Sequence, residues 1–463
     1  MDKINSAIKC FNEENFGEAE KLALDVFAQN QNSVDAIDIL AAIYLRTKNL
    51  NFLKSVSTKN LNLVRKIAVF LGDLKTFEQA AFFYKKALEL EPNDFVGLNN
   101  LGLIYEELGD VEKARIAYEK SIKIKQNYPA LYNLGVLYRK TKNLERSIAC
   151  LTEAYKLKPE DRYANYSLGM SYFMEKDFYR GYPYFLKRPV NGIENLKNFW
   201  DGAKHIDKCI LVYCEYGLGD AIMFSRYFPF LQKYFSKIKV FCAPSLQKLF
   251  TDSFKNIDFV DKIEDQKYDY CVLAMNLPYY LKMDFDNIPS SEGYLNADEN
   301  KILLYKNKYF DNNLLKIGIC YIGGELEKRN AKYRSVRLER FSKLFELKNT
   351  KFYSLQKDDP FNQLENYPQI VDLGSTFNDF SDTAAAMKNL DFMITIDSAP
   401  VHLAGALGVK TLLMLPFYSE WRWFADEKNT SWYKSVEIIR QTEPAGWQKI
   451  VDKIYTILSL KLS

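Results

Sequence analysis

Histidine is nearly missing from this chain, with two in 463 residues, at 205 and 402. A site built from several imidazoles cannot be assembled from two, which removes the commonest zinc arrangements. The seven cysteines, at 10, 150, 209, 214, 242, 271 and 320, form no CxxC pair and mostly stand far apart. They fit neither a zinc site nor a disulfide framework and read as reduced, mostly buried thiols. No apolar run approaches the roughly 18 residues of a membrane span. The opening MDKINSAIKCFNEENF carries charge from position 2, where a secretory leader would need an apolar core. The expectation is a cytoplasmic protein without a membrane span. Excess charge is lacking too, because 63 Lys plus Arg against 59 Asp plus Glu leave only +4. That field is too weak to imply a nucleic-acid partner, so any basic site is local.

Aromatic residues are abundant, at 15% with 32 Tyr and 32 Phe, in a composition of 48% hydrophobic and 26% charged residues that is ordinary for a folded chain. The length allows two to four compact units. The first part repeats itself. Small residues followed three positions later by a large one recur at Ala41/Tyr44, Ala68/Leu71, Gly102/Tyr105, Gly135/Tyr138 and Gly169/Tyr172, with Ala7 in phase before them, at intervals of 34, 27, 34, 33 and 34. The run Leu101, Gly102, Tyr105, Gly109, Ala114, Tyr118 resembles the tetratricopeptide consensus of two helices per repeat. Pro92 and Pro159 fall where that consensus ends a repeat. Residues 1–190 therefore read as an α-solenoid of about five repeats, one of them degenerate around Asn49 to Asn60, whose concave surface suits a polypeptide. Gly181, Pro183, Pro189 and Gly192 break the period, and 191–207 read as a junction.

From Lys208 short apolar runs alternate with helical stretches, the pattern of βα units around a parallel sheet. Two lobes are expected, 208–312 and 313–463. In the first, the strand Cys209 to Cys214 leads into Glu215-Tyr216-Gly217-Leu218-Gly219-Asp220 and a helix, Ala221 to Tyr234, so backbone N–H groups near Gly217 and Gly219 face a ligand. Ile222 stands where a dinucleotide fingerprint would place its third glycine, and Val240 to Pro244 supplies no acid. Asp220 also suits a plain helix N-cap. In the second lobe, strands end in Gly323-Gly324, in Gln356-Lys357 and in Asp397-Ser398-Ala399-Pro400, gathering polar groups at strand C-termini where open α/β sheets bind ligands. Ser398 can cap a helix whose free N–H groups and positive dipole end suit a diphosphate. His402 follows one turn later on the same face. The loop after the first of these strands carries Lys328, Arg329, Lys332, Arg334, Arg337 and Arg340, forks suited to phosphate. Asp284-Phe285-Asp286 matches a cation-binding DxD but lies away from a strand end, so no metal is expected.

The runs EYGLGDAIMFSRYFP (Glu215 to Pro229), RSVRL (Arg334 to Leu338), SLQK (Ser354 to Lys357) and DSAPVHLAG (Asp397 to Gly405) resemble the heptosyltransferase-like glycosyltransferases, family 9. The stretch Leu415 to Trp432, with Trp421, Arg422 and Trp423, is similar to the variant of that family fused behind tetratricopeptide repeats. The resemblance implies a GT-B fold of two Rossmann-like lobes and metal-independent, inverting transfer from a nucleotide sugar. It implies Asp220 as general base and a donor site made by Gly217, Gly219, Lys328, Arg334, Ser335, Gln356, Lys357, Asp397, Ser398, Ala399 and His402. The acceptor it implies is a protein, such as flagellin or another surface protein, brought by the repeats. A non-catalytic scaffold with a degenerate sugar-nucleotide domain is the alternative.

Overall fold

The computed structural model describes residues 2–30, 33–47, 61–264, 266–289, 292–324, 333–424 and 428–462. The chain divides into two compact units, Met1–Ala164 and Asn165–Ser463.

The first unit contains α1 (Asp2–Asn12), α2 (Phe16–Gln29), α3 (Val34–Thr47), α4 (Leu61–Asp73), α5 (Phe77–Leu90), α6 (Phe95–Glu107), α7 (Val111–Ile124), α8 (Tyr128–Lys140) and α9 (Leu144–Leu157). The recurring small residues are where paired helices touch. A Cβ on Gly102 would lie 2.5 Å from the Tyr118 ring and one on Gly135 2.6 Å from Leu151, so each pair can close only over a glycine. Among the described residues, the turn seven residues after a small position is left-handed at Glu14, Lys75, Gly109, Lys142 and Lys176. The same intervals thus appear in the backbone as in the sequence. Asp94, Asp110, Asn127 and Asn143 each accept a hydrogen bond from the amide three residues on, so the starts of α6, α7, α8 and α9 are capped by side chains, whereas Thr76 before α5 makes no cap bond. Pro92 and Pro159 follow the C-caps Glu91 and Lys158, as the repeat reading requires. The degenerate interval lies in 48–60, outside the described residues.

The solenoid reading to residue 190 meets a difference here. Helix α10 (Arg162–Met174) crosses the division, and α11 (Phe178–Phe185) belongs wholly to the second unit. Pro183 sits inside α11 without ending it. The helix is held by burial, with Phe173, Tyr182 and Phe185 packed ring against ring at 4.8 to 6.0 Å. The expected junction is likewise part of a lobe. Phe199 bridges Cys271, the Trp200 amide donates to the Cys271 carbonyl at 2.8 Å, and Val190 and Leu196 share a core with Leu211 and Leu273.

The first sheet comprises β1 (Cys209–Tyr213), β2 (Lys237–Phe241), β3 (Asp258–Val260) and β4 (Tyr270–Leu273), all parallel, in the order β3-β2-β1-β4. Helix α12 (Leu218–Ser225) follows β1, and α13 (Pro244–Ser253) follows β2. The helix expected to run to Tyr234 stops at Ser225. A 3-10 turn, Phe228–Lys233, replaces its second half because Pro229 has no amide to continue the ladder. After α14 (Leu277–Tyr280) and α15 (Glu299–Tyr309) comes the second sheet. Its strands are β5 (Leu315–Cys320), β6 (Thr350–Ser354), β7 (Val371–Asp372), β8 (Phe392–Ile396), β9 (Thr411–Leu415), β10 (Asn429–Thr430) and β11 (Tyr433–Arg440), in the order β10-β11-β9-β8-β5-β6-β7. All its pairs are parallel except β10 with β11. Strand β9, TLLML, is buried at every position, as a strand covered on both faces must be. Helices α16 (Phe380–Met387) and α17 (Ala399–Ala406) flank β8, and α18 (Trp447–Leu462) packs Ile450, Ile454 and Leu458 into the core of the second sheet.

Both sheets reverse their strand order beside their first strand, between β1 and β4 and between β5 and β8. Such reversal points open a crevice at the strand C-termini. No helix among the described residues is long and apolar enough to cross a membrane.

Candidate functional site

The segment after β1 is fixed from below. The Glu215 carboxylate is fully buried, and its Oε1 accepts from Arg188 Nη2 and, at 3.2 Å, from the Met275 amide. Arg188 Nη1 donates to Asn276 Oδ1 at 2.6 Å and to the Phe185 carbonyl at 3.1 Å. Burial pushes the Glu215 carboxyl above its ordinary range, and the Arg188 charge pulls against that. Tyr216, at φ 68°, turns the chain and donates its hydroxyl to the Pro189 carbonyl at 2.6 Å. The turn delivers Gly217 as the N-cap of α12. Asp220 is therefore not the cap. It is the third helical residue, and α12 has no side-chain cap.

Across from it, β5 leads into a turn held by two side chains from elsewhere. Gln356 Oε1 accepts from the Tyr321 and Ile322 amides at 3.2 and 2.9 Å, and Ser335 Oγ accepts from the Gly323 amide at 3.2 Å. Gly323 lies so close under Arg334 that a Cβ would meet Nε at 2.8 Å. Strand β8 ends at Asp397, and Ser398 is the N-cap of α17, though its hydroxyl reaches back to the Ile396 carbonyl at 3.4 Å and makes no cap bond.

These two edges line one cleft of about 640 Å³. Gly217, Gly219, Asp220, Arg334, Gln356, Lys357, Asp397, Ser398, Ala399 and His402 all contribute to it. Ser335 does not line the cleft and acts through the Gly323 turn instead. Lys328, Arg329 and Lys332 lie outside the described residues. Arg337 stacks on Phe361, 3.9 Å from the ring centre, so that among the described basic residues of this loop Arg334 lines the cleft. Gly219 has a packing role that the sequence reading assigned to ligand approach. Its Cα faces α17, and a Cβ there would fall 2.8 Å from the His402 ring and 3.4 Å from the Ala399 Cα. The side-chain amide oxygen of Gln356, Oε1, is likewise spent on the β5 turn. Asp284 caps the 3-10 turn Phe285–Asn287, accepting from the Phe285 amide at 2.7 Å.

One partner was not legible as a site residue. Arg422 lies in the cleft and holds Asp220 Oδ1 through Nε at 2.8 Å and Nη2 at 2.5 Å. The two residues are 202 positions apart, and the only local signal is an arginine set between two tryptophans, Trp421 and Trp423. Tyr166 and Tyr216 also line the cleft. Asp397 is buried, which pushes its carboxyl up, while Arg334 and Arg422 act in the opposite sense. Burial, with Arg422, Arg226 and Arg334 nearby, holds His402 well below the ordinary imidazole range, so the ring is neutral. It stacks on Trp423, and its Nδ1 lies 3.0 Å from the Tyr433 hydroxyl. Arg334 Nε is buried without a hydrogen-bond partner among the described residues. The arrangement offers one acid on the first lobe, its side chain mostly buried and paired to Arg422, and an arginine, a helix start and a neutral imidazole on the second. Among the described residues no group of three or more His, Cys, Asp or Glu could hold a metal ion.

Family models and most of the similar proteins match the first unit, whereas one relative matches along most of the chain. The tetratricopeptide repeat family matches residues 83–116 in one form and 66–94 and 128–161 in another. The uncharacterized protein ycf37 of Pyropia yezoensis is 40% identical over 62 residues, 13% of this chain and 35% of that protein, so the chain spans about a third of that relative. Protein FlbA of Caulobacter vibrioides is 21% identical over 439 residues, 85% of this chain and 72% of that one. MamA from Desulfovibrio magneticus RS-1 superposes with a TM-score of 0.28 at 19% identity, over 40% of this chain and 93% of the solved one. The chain thus carries tetratricopeptide repeats between residues 66 and 161, and such repeats imply a protein partner.

Proposed function

We propose that the second unit is an inverting glycosyltransferase of GT-B architecture, similar to the heptosyltransferase-like family. In this reading it moves a sugar from a nucleotide sugar to a polypeptide acceptor recruited by the repeats. The observation that carries the reading is that Asp220 of one sheet and the Asp397 to His402 turn of the other line a single cleft at two strand-order reversals. Displacement at an anomeric carbon needs a base on the acceptor hydroxyl and positive charge on the departing diphosphate. Asp220 is the base. Arg334, whose Nε has no partner among the described residues, and the start of α17 receive the diphosphate. Leu355, Phe377 and Phe380 give the same cleft apolar lining for the nucleoside.

Calorimetric titration with ADP, GDP, UDP and CMP tests this. One nucleotide should bind, and Arg334→Ala should weaken it by about 1.5–3 kcal/mol, the range for a charged hydrogen bond. If none of the four binds, the reading falls. If one binds but no matching sugar nucleotide is turned over, the second unit is a binding module that serves the repeats as a scaffold.

A further inference from the structure

Arg422 is presented to Asp220 by a heavily braced turn. Trp421 and Trp423 on either side are buried, at 1% and 0% exposure. Phe424, a bulky residue, sits at φ 51°, a conformation that persists only where the surroundings over-determine it. Arg440 supplies that constraint, donating from Nη2 to the Trp423 carbonyl at 2.7 Å and to the Phe424 carbonyl at 3.1 Å, and from Nη1 to Ser419 Oγ. Both contacts from Arg422 fall on the same oxygen, Oδ1, and Oδ2 has no hydrogen-bond partner among the described residues. Arg–carboxylate pairs are frequently bidentate, with one donor to each oxygen. Here one oxygen is occupied and the other left to the cleft.

From this geometry we infer that Arg422 is a positioning residue, which fixes the Asp220 carboxylate so that Oδ2 alone is offered to the acceptor. The inference rests on the glycosyltransferase reading. In the transfer step the acceptor O–H proton passes to Asp220 Oδ2, the acceptor oxygen bonds the anomeric carbon, and the bond from that carbon to the diphosphate oxygen breaks with its electron pair leaving on the diphosphate. Arg422 forms no bond to substrate. It removes the rotational freedom by which the carboxylate would otherwise present either oxygen, and misplacement of a reacting group by about 1 Å is enough to cost on the order of 100-fold.

The test is a double-mutant cycle on the full chain, using release of nucleoside diphosphate from ADP-, GDP- and UDP-sugars with water as acceptor where no protein acceptor is in hand. Asp220→Asn should lower kcat by about 10²- to 10⁴-fold. Arg422→Met should lower kcat by roughly 10- to 100-fold and change the nucleotide Kd less than about 3-fold, because it acts on the base and not on the donor. Arg422→Lys, which keeps one charge near Oδ1 but not the two-point contact, should recover part of the lost rate and stay at least about 3-fold below the wild-type kcat. In the Asp220→Asn background, Arg422→Met should cost less than about 3-fold more. Additive losses, or a nucleotide affinity that collapses with Arg422→Met, would show that Arg422 serves the donor and overturn the inference. Near-normal turnover in Asp220→Asn would instead overturn the assignment of the base, and a wild-type chain inert to every sugar nucleotide would overturn the function itself. Should Arg422→Met fail to fold, the lysine variant alone decides, since full activity there with an unchanged melting temperature excludes any need for the fixed fork.

Discussion

His402 links the cleft to pH. Its ring is buried and held neutral, chiefly by desolvation, whereas in the unfolded chain it titrates near its ordinary value of 6.5. Below that pH the unfolded chain binds a proton that the folded ring refuses, so stability present at neutral pH is lost as pH falls. The slope approaches about 1.4 kcal/mol per pH unit while the folded ring stays neutral. Asp397 acts in the opposite sense and at lower pH, since its raised carboxyl binds a proton in the folded state first. Comparing the wild type with His402→Gln isolates the histidine. Melting temperatures at pH 7.5, 6.5 and 5.5 should converge as pH falls, and parallel curves would mean that the ring is protonated in place. That these residues share a cleft was legible, because glycines, acids and a rare histidine stand at strand ends. What was not legible is how each side chain is spent. Gln356 gives its oxygen to the Tyr321 and Ile322 amides, and Asp220 pairs with Arg422 rather than capping α12. Contacts between residues 34 to 202 positions apart leave no trace in spacing.

At the scale of elements, α12 and α17 cross at Gly219, and the crossing sets the distance between Asp220 and His402. Alanine is the better helix former by about 1 kcal/mol. At Gly219, however, its Cβ would press at 2.8 Å on a buried ring and at 3.4 Å on backbone, and overpacking of this kind costs about 1–3 kcal/mol. Packing wins, so Gly219→Ala should lower the melting temperature by roughly 2–6 °C and reduce nucleotide affinity. Gly217→Ser should do neither. Its nearest contact would be Asp220 Oδ2 at 3.9 Å, and φ −96°, ψ 164° is a backbone that an N-cap serine adopts readily. Equal melting temperatures for wild type and Gly219→Ala would show that the helices can part at no cost. The element types were readable because periodicity carries them: the solenoid intervals return as left-handed turns, and buried runs such as CILVY and TLLML return as β1 and β9. Strands of two residues, β7 and β10, have too few positions to show any period.

For the molecule as a whole, the repeat period placed the end of the solenoid at residue 190 and the sheets after a junction at 191–207, whereas the compact division falls after Ala164. The sequence misled here because α10 and α11 keep the repeat pattern, with Gly169 under Phe185 and a left-handed Lys176, while their outer faces serve another core. Phe173 packs on Trp421 at 5.1 Å, Phe178 on Trp432 at 5.9 Å, and Arg188 neutralises Glu215. This decides where the chain can be cut. A protein starting at Lys158 keeps the Asp161 cap on Ala164, both helices and the buried ion pair, and should melt cooperatively and bind nucleotide like the full chain while losing transfer to a polypeptide acceptor. One starting at Asn191 loses Phe173, Phe178, Tyr182 and Phe185, worth about 1.5–3 kcal/mol each when buried. It also leaves Glu215 buried without its arginine, a further loss of about 3–5 kcal/mol. Together these approach or exceed the roughly 5–15 kcal/mol that holds a typical domain folded. The shorter chain should therefore show no cooperative transition at 25 °C or above, as read by calorimetry or near-ultraviolet circular dichroism. A sharp transition near that of the Lys158 protein would mean that the aromatic helix pair is an attachment to the second unit and not part of its core.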